Sequence, residues 1–236
     1  MEAIHILDVA SLAVLYVFLS YFSKMDRDYR YVPLSTVVMF AASSIVVASA
    51  RFYLADTLTL TTYCVSLILT GLLASTFLVL IHLTKMVGVG DIIVVLLTGI
   101  MCPYAPYPEG VRALPIINPV ATAISALLMY IELRKSTVYI PSFPPRFRRV
   151  RKHRVSEIRK DATVKEYPVY IEGVGFVYDK IFASSPVENT LKIIQNVPDD
   201  AVIYTVPNFP FIFYFTVGHI IAVASLVLVY SMISLL

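Results

Sequence analysis

Charged residues and cysteines are both scarce in this sequence. Asp, Glu, Lys and Arg make up only 15% of its 236 residues, where soluble domains average about 25%. Apolar residues make up 58% and the mean hydropathy is +0.78, which excludes a water-soluble enzyme of one domain and indicates a membrane protein. Cys64 and Cys102 lie in separate apolar runs without C-x-x-C spacing. This spacing argues against a disulfide framework and against a cysteine zinc site.

The signatures of two common hydrolase classes are also missing. The chain contains no H-E-x-x-H and no G-x-S-x-G sequence, which mark zinc peptidases and serine hydrolases respectively. The histidines are widely scattered and are better explained by structural or interfacial roles: His5, His82, His153 and His219. We therefore expect neither serine chemistry nor metal chemistry, and no cofactor.

Six apolar runs predict an α-helical membrane protein with six transmembrane helices. At about 20 residues each, such spans would use about half of the chain. The runs are Ile4–Ser23, Leu34–Ala50, Leu60–Leu83, Ile92–Cys102, Ile116–Leu133 and Phe209–Leu236. The fourth run is too short to cross alone, so we expect a short or partly re-entrant helix that its neighbours shield from lipid.

The basic residues are distributed unevenly among the loops. Of the 19 Lys and Arg residues, all except Arg51 and Arg112 lie in the loops after the first, third and fifth runs. The positive-inside rule assigns that face to the cytoplasm. We therefore expect a multi-pass protein of the cell membrane with both chain termini on the outer side.

A polar segment between the fifth and sixth runs predicts a small cytoplasmic α+β module. The expected division is membrane helices in residues 1–133, the module in residues 134–206 and the sixth helix in residues 207–236. Within the module, alternation around two glycines predicts a hairpin in Thr163–Ile181. Ser185 and Pro186 predict the start of a helix that continues to about Asn196. A strand is expected at Ala201–Val206.

The module opens with a strongly basic stretch. Eight basic residues lie between Arg146 and Lys160. Nucleic acid is one partner that such a stretch would suit, but its place beside a membrane favours a solvated anchor for anionic lipid headgroups. We expect lipid contact and no nucleic acid.

Ionisable residues beside membrane spans are costly and are therefore candidates for function. Among the 16 acidic residues, Asp26, Asp28 and Asp91 fall at the expected cytoplasmic ends of spans. Asp8 lies about 27 Å from Asp26 along a helix and cannot share its site. We expect Asp8 to be satisfied by neighbouring hydroxyls or water near the outer interface, with a proton relay as the alternative.

Two short motifs contain these acids. Gly88-Val89-Gly90-Asp91 precedes the fourth run, where the glycines allow another chain to approach closely and Asp91 alone would be explained as a helix N-cap. The segment from Asp26 to Pro33 has an arginine, Arg30, four residues after the acid. Together these residues resemble the D-x-x-x-R-x-[IV]-P and GxGD motifs of type IV prepilin peptidases and archaeal preflagellin peptidases.

The resemblance implies an aspartic endopeptidase that removes class III signal peptides at the cytoplasmic membrane face. Asp26 and Asp91 would form the catalytic dyad, one activating water while the other protonates the scissile carbonyl, and Asp91, at a helix start, is expected to be the base. Its substrates would be preflagellin or prepilin precursors with a basic leader and a hydrophobic helix. The resemblance also implies motif or substrate-positioning roles for Gly88, Gly90, Arg30, Pro33, Pro207 and Pro210. Asp28, an acid beside the expected dyad, is the first candidate for recognising the basic leader by charge.

The chain also departs from the family pattern. It lacks the paired C-x-x-C motifs and the glycine-rich methyl-donor site of bacterial members, so a peptidase without methyltransferase activity is implied, as in the archaeal branch. Leu34 follows Pro33 where many relatives have Asn, and Asp28 is the alternative to Asp26 as the first catalytic acid.

Three other functions are compatible with the same residues. An intramembrane protease similar to presenilin or signal peptide peptidase would cut inside a hydrophobic span. A small transporter would use Asp26 and Asp91 as a proton or cation relay, although no inverted repeat of the kind typical of transporters is evident. A membrane scaffold would bind lipid or a partner through the basic module and would need neither aspartate.

Overall fold

The computed structural model describes residues 2–29, 32–54, 57–84, 89–102, 117–144, 147–160, 166–177, 193–207 and 209–233. The chain divides into two compact units. Unit 1 consists of Met1–Leu128 and Pro210–Leu236, and unit 2 is Met129–Phe209.

Unit 1 is helical, and its helices coincide with the apolar runs of the sequence. They are α1 (Glu2–Tyr29), α2 (Leu34–Leu54), α3 (Thr57–Thr84), α4 (Val89–Met101), the part of α5 (Ile117–Ser136) up to Leu128, and α7 (Phe211–Ile233). Helix α1 packs against α7, α2 and α4, and α4 packs also against α2 and α3. The short fourth helix predicted from the sequence is confirmed, since α4 has 13 residues and is about 20 Å long.

Three helices in the described part of the chain are long and apolar enough to cross a membrane: Ile6–Tyr29, Leu34–Leu54 and Phe211–Val229. Tyr63–Leu73 and Gly90–Met101 are shorter apolar helical segments. Large apolar side chains on the long helices point outward, with Val17 71% and Val46 68% exposed, as expected where lipid replaces water. These features suggest a membrane-associated protein with three candidate spans, and the other three predicted spans stay predictions.

Unit 2 contains a small antiparallel sheet. Its strands are β1 (Val138–Tyr139), β2 (Arg149–Arg154), β3 (Glu166–Ile171), β4 (Gly175–Phe176) and β5 (Val202–Pro207), in the spatial order β1-β2-β5-β3-β4. The short helix α6 (Val155–Lys160) follows β2. The apolar core of the unit comprises Val155, Ile158, Ile171, Val177, Ile194, Val197 and Ile203.

The predicted hairpin and the predicted final strand are confirmed. β3 pairs with β4 across a tight turn. Gly173 in the turn and Gly175 at the start of β4 adopt φ of 82° and 95°, angles that residues with a Cβ rarely adopt. β5 begins one residue after the predicted strand and ends one residue after it. Of the helix predicted from Ser185 to about Asn196, only residues 193–196 lie in the described part, with 193–194 helical.

The basic run of the sequence forms a strand and a helix rather than a uniformly solvated segment. Arg151 of β2 forms an ion pair with Glu166 of β3. Arg159 of α6 forms an ion pair with Asp199 and donates to the carbonyl of Val197 at 2.8 Å. The side chains of both basic residues therefore bind other residues of unit 2.

Candidate functional site

Asp26 is a buried acid at the C-terminal end of α1. Its residue is only 7% exposed, and its Oδ2 accepts hydrogen bonds from the backbone N–H groups of Ile212 (2.8 Å) and Phe213 (3.4 Å). Those two amides belong to the first turn of α7, where N–H groups have no partner within the helix. Asp26 therefore caps a second helix that lies 186 residues away in the sequence, and the amides stabilise the negative charge of its carboxylate.

The rest of the first motif lies at the surface or at the start of α2. Asp28 is partly exposed, and one of its oxygens lies 3.3 Å from Arg27 Nε. The carbonyl oxygen of Pro33 accepts hydrogen bonds from the N–H groups of Thr36 and Val37, so this proline begins α2. Arg30 lies outside the described residues. Of the two acids in this motif, Asp26 alone is buried.

The second motif lies at the beginning of α4. Asp91 is partly buried in the first turn of this helix, where the N–H groups favour an acidic side chain. Gly90 precedes it and is exposed, and a methyl group at Gly90 would meet no described atom within 4 Å. Gly88 lies outside the described residues. Packing among the described residues therefore gives no reason for a glycine at position 90, where an added methyl group would have open space.

Asp26 and Asp91 lie toward the same end of unit 1. At the other end, Arg51 of α2 donates both to Asp8 in α1 and to the carbonyl oxygen of Met101, the last residue of α4. Because α1 and α4 pack together, the C-terminal end of α1 and the first turn of α4 point away from this link. The helix order thus brings the two motifs to a common end.

A row of polar contacts joins α1 to α7 behind Asp26. Ser23 Oγ donates to Thr216 Oγ1 at 2.7 Å, and Tyr16 Oη lies 3.2 Å from His219 Nδ1. Interhelical hydrogen bonds of this kind fix the register of neighbouring membrane helices. They hold Asp26 opposite the start of α7, a relation that the sequence motifs did not reveal.

Asp8 has a partner that the sequence interpretation missed. Hydroxyls or water were expected, but Asp8 Oδ1 accepts from Arg51 Nη2 at 2.8 Å and from Arg51 Nε at 3.2 Å. Asp8 and Arg51 are only 5% and 1% exposed. The sequence signal for this ion pair is an arginine at the end of one apolar run and an acid within the neighbouring run, because buried charges require pairing.

The two prolines near the last helix have different roles. Pro207 ends β5 and pairs with Glu166 of β3 within unit 2. In unit 1, the carbonyl oxygen of Pro210 accepts a hydrogen bond from the N–H of Tyr214, one turn into α7. Only Pro210 is therefore at the start of the helix that Asp26 caps.

Unit 2 has a buried charged cluster of its own. Glu166 forms an ion pair with Arg151, a hydrogen bond with Thr205, and a contact of 2.9 Å with His153 Nε2. Arg151 also lies 3.9 Å from Glu132. Burial raises the pKa of the Glu166 carboxyl, but the hydrogen bonds with His153 and Thr205 and the charge of Arg151 outweigh burial and lower this pKa overall.

The lowered pKa of Glu166 makes unit 2 sensitive to acid. A depressed pKa in the folded state stabilises the fold above the unfolded-state pKa, about 4.3 for glutamate, and this stabilisation is lost as the pH falls through the lowered value. We expect Glu166→Gln to reduce hydrogen-exchange protection of β2, β3 and β5 at pH 7, with a difference from the wild type that shrinks below about pH 4. The exposed Glu172→Gln is the control, and equal pH dependence in both variants would contradict the assignment.

Gly90 provides a test of the space beside Asp91. A helical Gly→Ala change is expected to be neutral or to stabilise by up to about 1 kcal/mol, because no described atom obstructs the added methyl group. We expect thermal unfolding of Gly90→Ala in detergent to occur at the wild-type temperature or slightly above it. A lower melting temperature would show that this space is occupied in the folded protein.

Comparison of the chain with known protein families, with curated proteins and with solved structures found no match. The resemblance to prepilin peptidases therefore rests on the two motifs and on their places among the helices.

Proposed function

We propose that this protein is a membrane-embedded aspartic endopeptidase that removes class III signal peptides from preflagellin-like or prepilin-like precursors. The observation that carries the proposal is the burial of Asp26 at the end of α1, with its carboxylate directed at the start of α7. Asp91 lies in the first turn of α4, toward the same end of unit 1. A buried acid and a second acid in a separate motif provide the pair that aspartic proteases require.

In the proposed mechanism the two carboxyl groups approach each other around the bound substrate and share one proton, because two close carboxylates do not readily both ionise. The ionised group takes a proton from water, whose oxygen attacks the scissile carbonyl carbon. The protonated group donates to the carbonyl oxygen, and collapse of the tetrahedral intermediate breaks the C–N bond as the leaving nitrogen takes up a proton. Both Asp26 and Asp91 face helix N-termini, so the helix dipole favours neither one over the other as the base.

The proposed membrane arrangement has six spans, both termini outside and the dyad at the cytoplasmic face. The basic loops support this orientation. A class III precursor keeps its basic leader in the cytoplasm and its apolar helix in the membrane, so the cut falls at the depth proposed for the dyad. Asp28, whose side chain is 36% exposed, is suited to attract the basic leader.

Anionic lipid is the second proposed partner, and Lys152 and Arg154 are the residues that we propose contact it. Lys152 and Arg154 are exposed, and in the register of the sheet Lys152 lies opposite Tyr204. On that face Tyr204 contacts Phe143, which in turn contacts Phe176. Aromatic rings beside basic side chains are typical of surfaces at the headgroup level.

We expect Lys152→Gln with Arg154→Gln to weaken the contact of unit 2 with anionic headgroups when the protein is reconstituted in nanodiscs, and to leave cleavage in neutral detergent unchanged. Added salt is expected to mimic the change by screening. Photo-crosslinking of the reconstituted protein to anionic lipid, with the neutral variant Ser156→Ala as control, measures the effect. Loss of cleavage in neutral detergent with the fold preserved would assign these basic residues to catalysis instead.

The test of the proposed activity uses the purified protein in detergent with two peptides. The first has a basic leader followed by an apolar helix, and the second is the apolar helix alone. We expect the first peptide to be cut and the second to stay intact. Cleavage of both would favour a presenilin-like protease, and cleavage of neither, together with proton flux through proteoliposomes, would favour the transporter.

A further inference from the structure

A charged pair is buried among the helices of unit 1, far from the proposed dyad. Arg51 is 1% exposed and Asp8 is 5% exposed. Burying two charges is expensive, and an apolar pair of similar volume is often as stable or more so. Stability of the bundle alone therefore does not explain why ions lie at this position.

The guanidinium of Arg51 contacts three other helices at once. It binds Asp8 and the Ser11 hydroxyl of α1, at 2.8 and 3.1 Å. Its Nη1 donates to the carbonyl oxygens of Ile100 and Met101 at 3.3 and 3.2 Å. Arg51 also lies 5.5 Å from the ring centre of Tyr63 in α3. We call Asp8, Arg51 and the two carbonyl groups the α4 clamp.

The length of α4 explains what the clamp provides. A helix of 13 residues is about 20 Å long, whereas the hydrocarbon core of a bilayer is about 30 Å thick. At least one end of α4 must therefore lie below the membrane surface, where unpaired carbonyl groups cost several kcal/mol each. Arg51 supplies donors to the last carbonyl groups of α4, and Asp8 balances the charge of Arg51.

The clamp is also a common reference point for the two acids. Along ideal helices Asp91 lies about 15 Å from Met101, and Asp26 lies about 27 Å from Asp8, so with α1 and α4 aligned Asp26 extends about 12 Å further from the clamp than Asp91. A slip of α4 by one turn would move Asp91 by about 5.4 Å relative to Asp26. The chain connects α1 to Asp91 only through the whole of α2 and α3, so the covalent backbone does not prevent such a slip. The clamp limits it instead.

We propose that Asp8 and Arg51 are positioning residues that fix the depth of α4 and thereby set the position of Asp91 relative to α1 and Asp26. The catalytic consequence of this role rests on the proposed function. Its structural consequence, the depth of α4, does not. The clamp itself touches neither the substrate nor the reacting atoms.

The experiment compares Arg51→Met with Arg51→Lys and with Ser44→Ala. Ser44 is a matched control because it is buried on the same helix and bonds the Phe40 carbonyl of that helix. Precursor cleavage gives kcat and KM. A nitroxide at Ile93→Cys in a Cys64→Ala background reports the depth of α4, since Ile93 is 38% exposed and Cys64 is the exposed native thiol.

We expect Arg51→Met to lower kcat about 100-fold, to leave KM within about 3-fold of the wild type, and to change the nitroxide depth by ~3 Å or more, half a helical turn. Arg51→Lys should recover part of kcat, because lysine restores the charge but not the two-pronged geometry. Ser44→Ala should match the wild type in both measurements.

An unchanged nitroxide depth in folded Arg51→Met would overturn the clamp, whatever the protein's activity. A changed depth with unchanged kcat would overturn the positioning of Asp91. If the wild type cleaves nothing, the depth measurement still decides the structural part, so the two failures are distinguishable. If Arg51→Met does not fold, the double variant Asp8→Leu, Arg51→Met removes both charges. The same two measurements, kcat and nitroxide depth, then test the proposal.

Discussion

Asp26→Asn is expected to abolish precursor cleavage while leaving the protein folded. Asparagine is as good an N-cap as aspartate, so its side-chain oxygen can still accept from the N–H groups of Ile212 and Phe213. The amide cannot exchange a proton with water or with the scissile carbonyl. We therefore expect kcat/KM to fall by at least about 1000-fold with little change in the melting temperature.

Three further variants separate capping from catalysis. Asp26→Ala removes both the acid and the cap and should cost about 1 kcal/mol of stability in addition to the activity. Asp91→Asn should abolish activity as Asp26→Asn does. Asp28→Asn should keep kcat and raise KM only for precursors with basic leaders. Full activity in Asp26→Asn together with loss in Asp28→Asn would move the first catalytic role to Asp28.

Gly218→Leu is expected to prevent folding of unit 1. A methyl group at Gly218 of α7 would lie closer than 3.0 Å to the backbone carbonyl oxygen of Ala121 in α5 and 2.7 Å from Ser125 Oγ. The Ser125 hydroxyl donates to the Tyr214 carbonyl of α7 at 3.1 Å, so α5 and α7 could move apart only by breaking this hydrogen bond. Small residues allow such close approach in membrane proteins.

Replacing each of three glycines by alanine should destabilise the protein to an extent set by the atoms that the added methyl group meets. Gly218→Ala meets backbone and should cost about 1–3 kcal/mol. Gly99→Ala meets the side chains of Thr70 and Asn118 rather than backbone and should cost less. Gly71→Ala meets nothing within 4 Å and is the control. Thermal unfolding in detergent measures the order, and equal stability of Gly218→Ala and Gly71→Ala would contradict the contact between α5 and α7.

The elements that local sequence determines were predicted well. The apolar runs predicted the helices of unit 1, and the glycines at 173 and 175 predicted the β3–β4 turn, because each signal depends on neighbouring residues. The short length of α4 was likewise evident from the residues between its motif and the prolines that follow. The two acidic motifs, which are local too, were found by their spacing.

Contacts between distant segments were not predicted. Asp26 caps a helix 186 residues away, and Asp8 pairs with an arginine 43 residues away. Neither distance leaves a periodic signal in one sequence, so the sequence predicts hydroxyls or water beside Asp8 and no partner for Arg51. The basic run was read as one solvated segment for the same reason, since the partners of Arg151 and Arg159 follow it in the chain.

The most direct test of the proposed peptidase is the mass of both fragments after cleavage of a precursor in water enriched in ¹⁸O. We expect a single cut between the basic leader and the apolar helix, with one ¹⁸O atom in the new carboxylate of the leader, because the attacking nucleophile is water. Cleavage should be absent in Asp26→Asn and in Asp91→Asn. An intact precursor, a cut inside the apolar helix, or undiminished cleavage by both variants would contradict the proposed function.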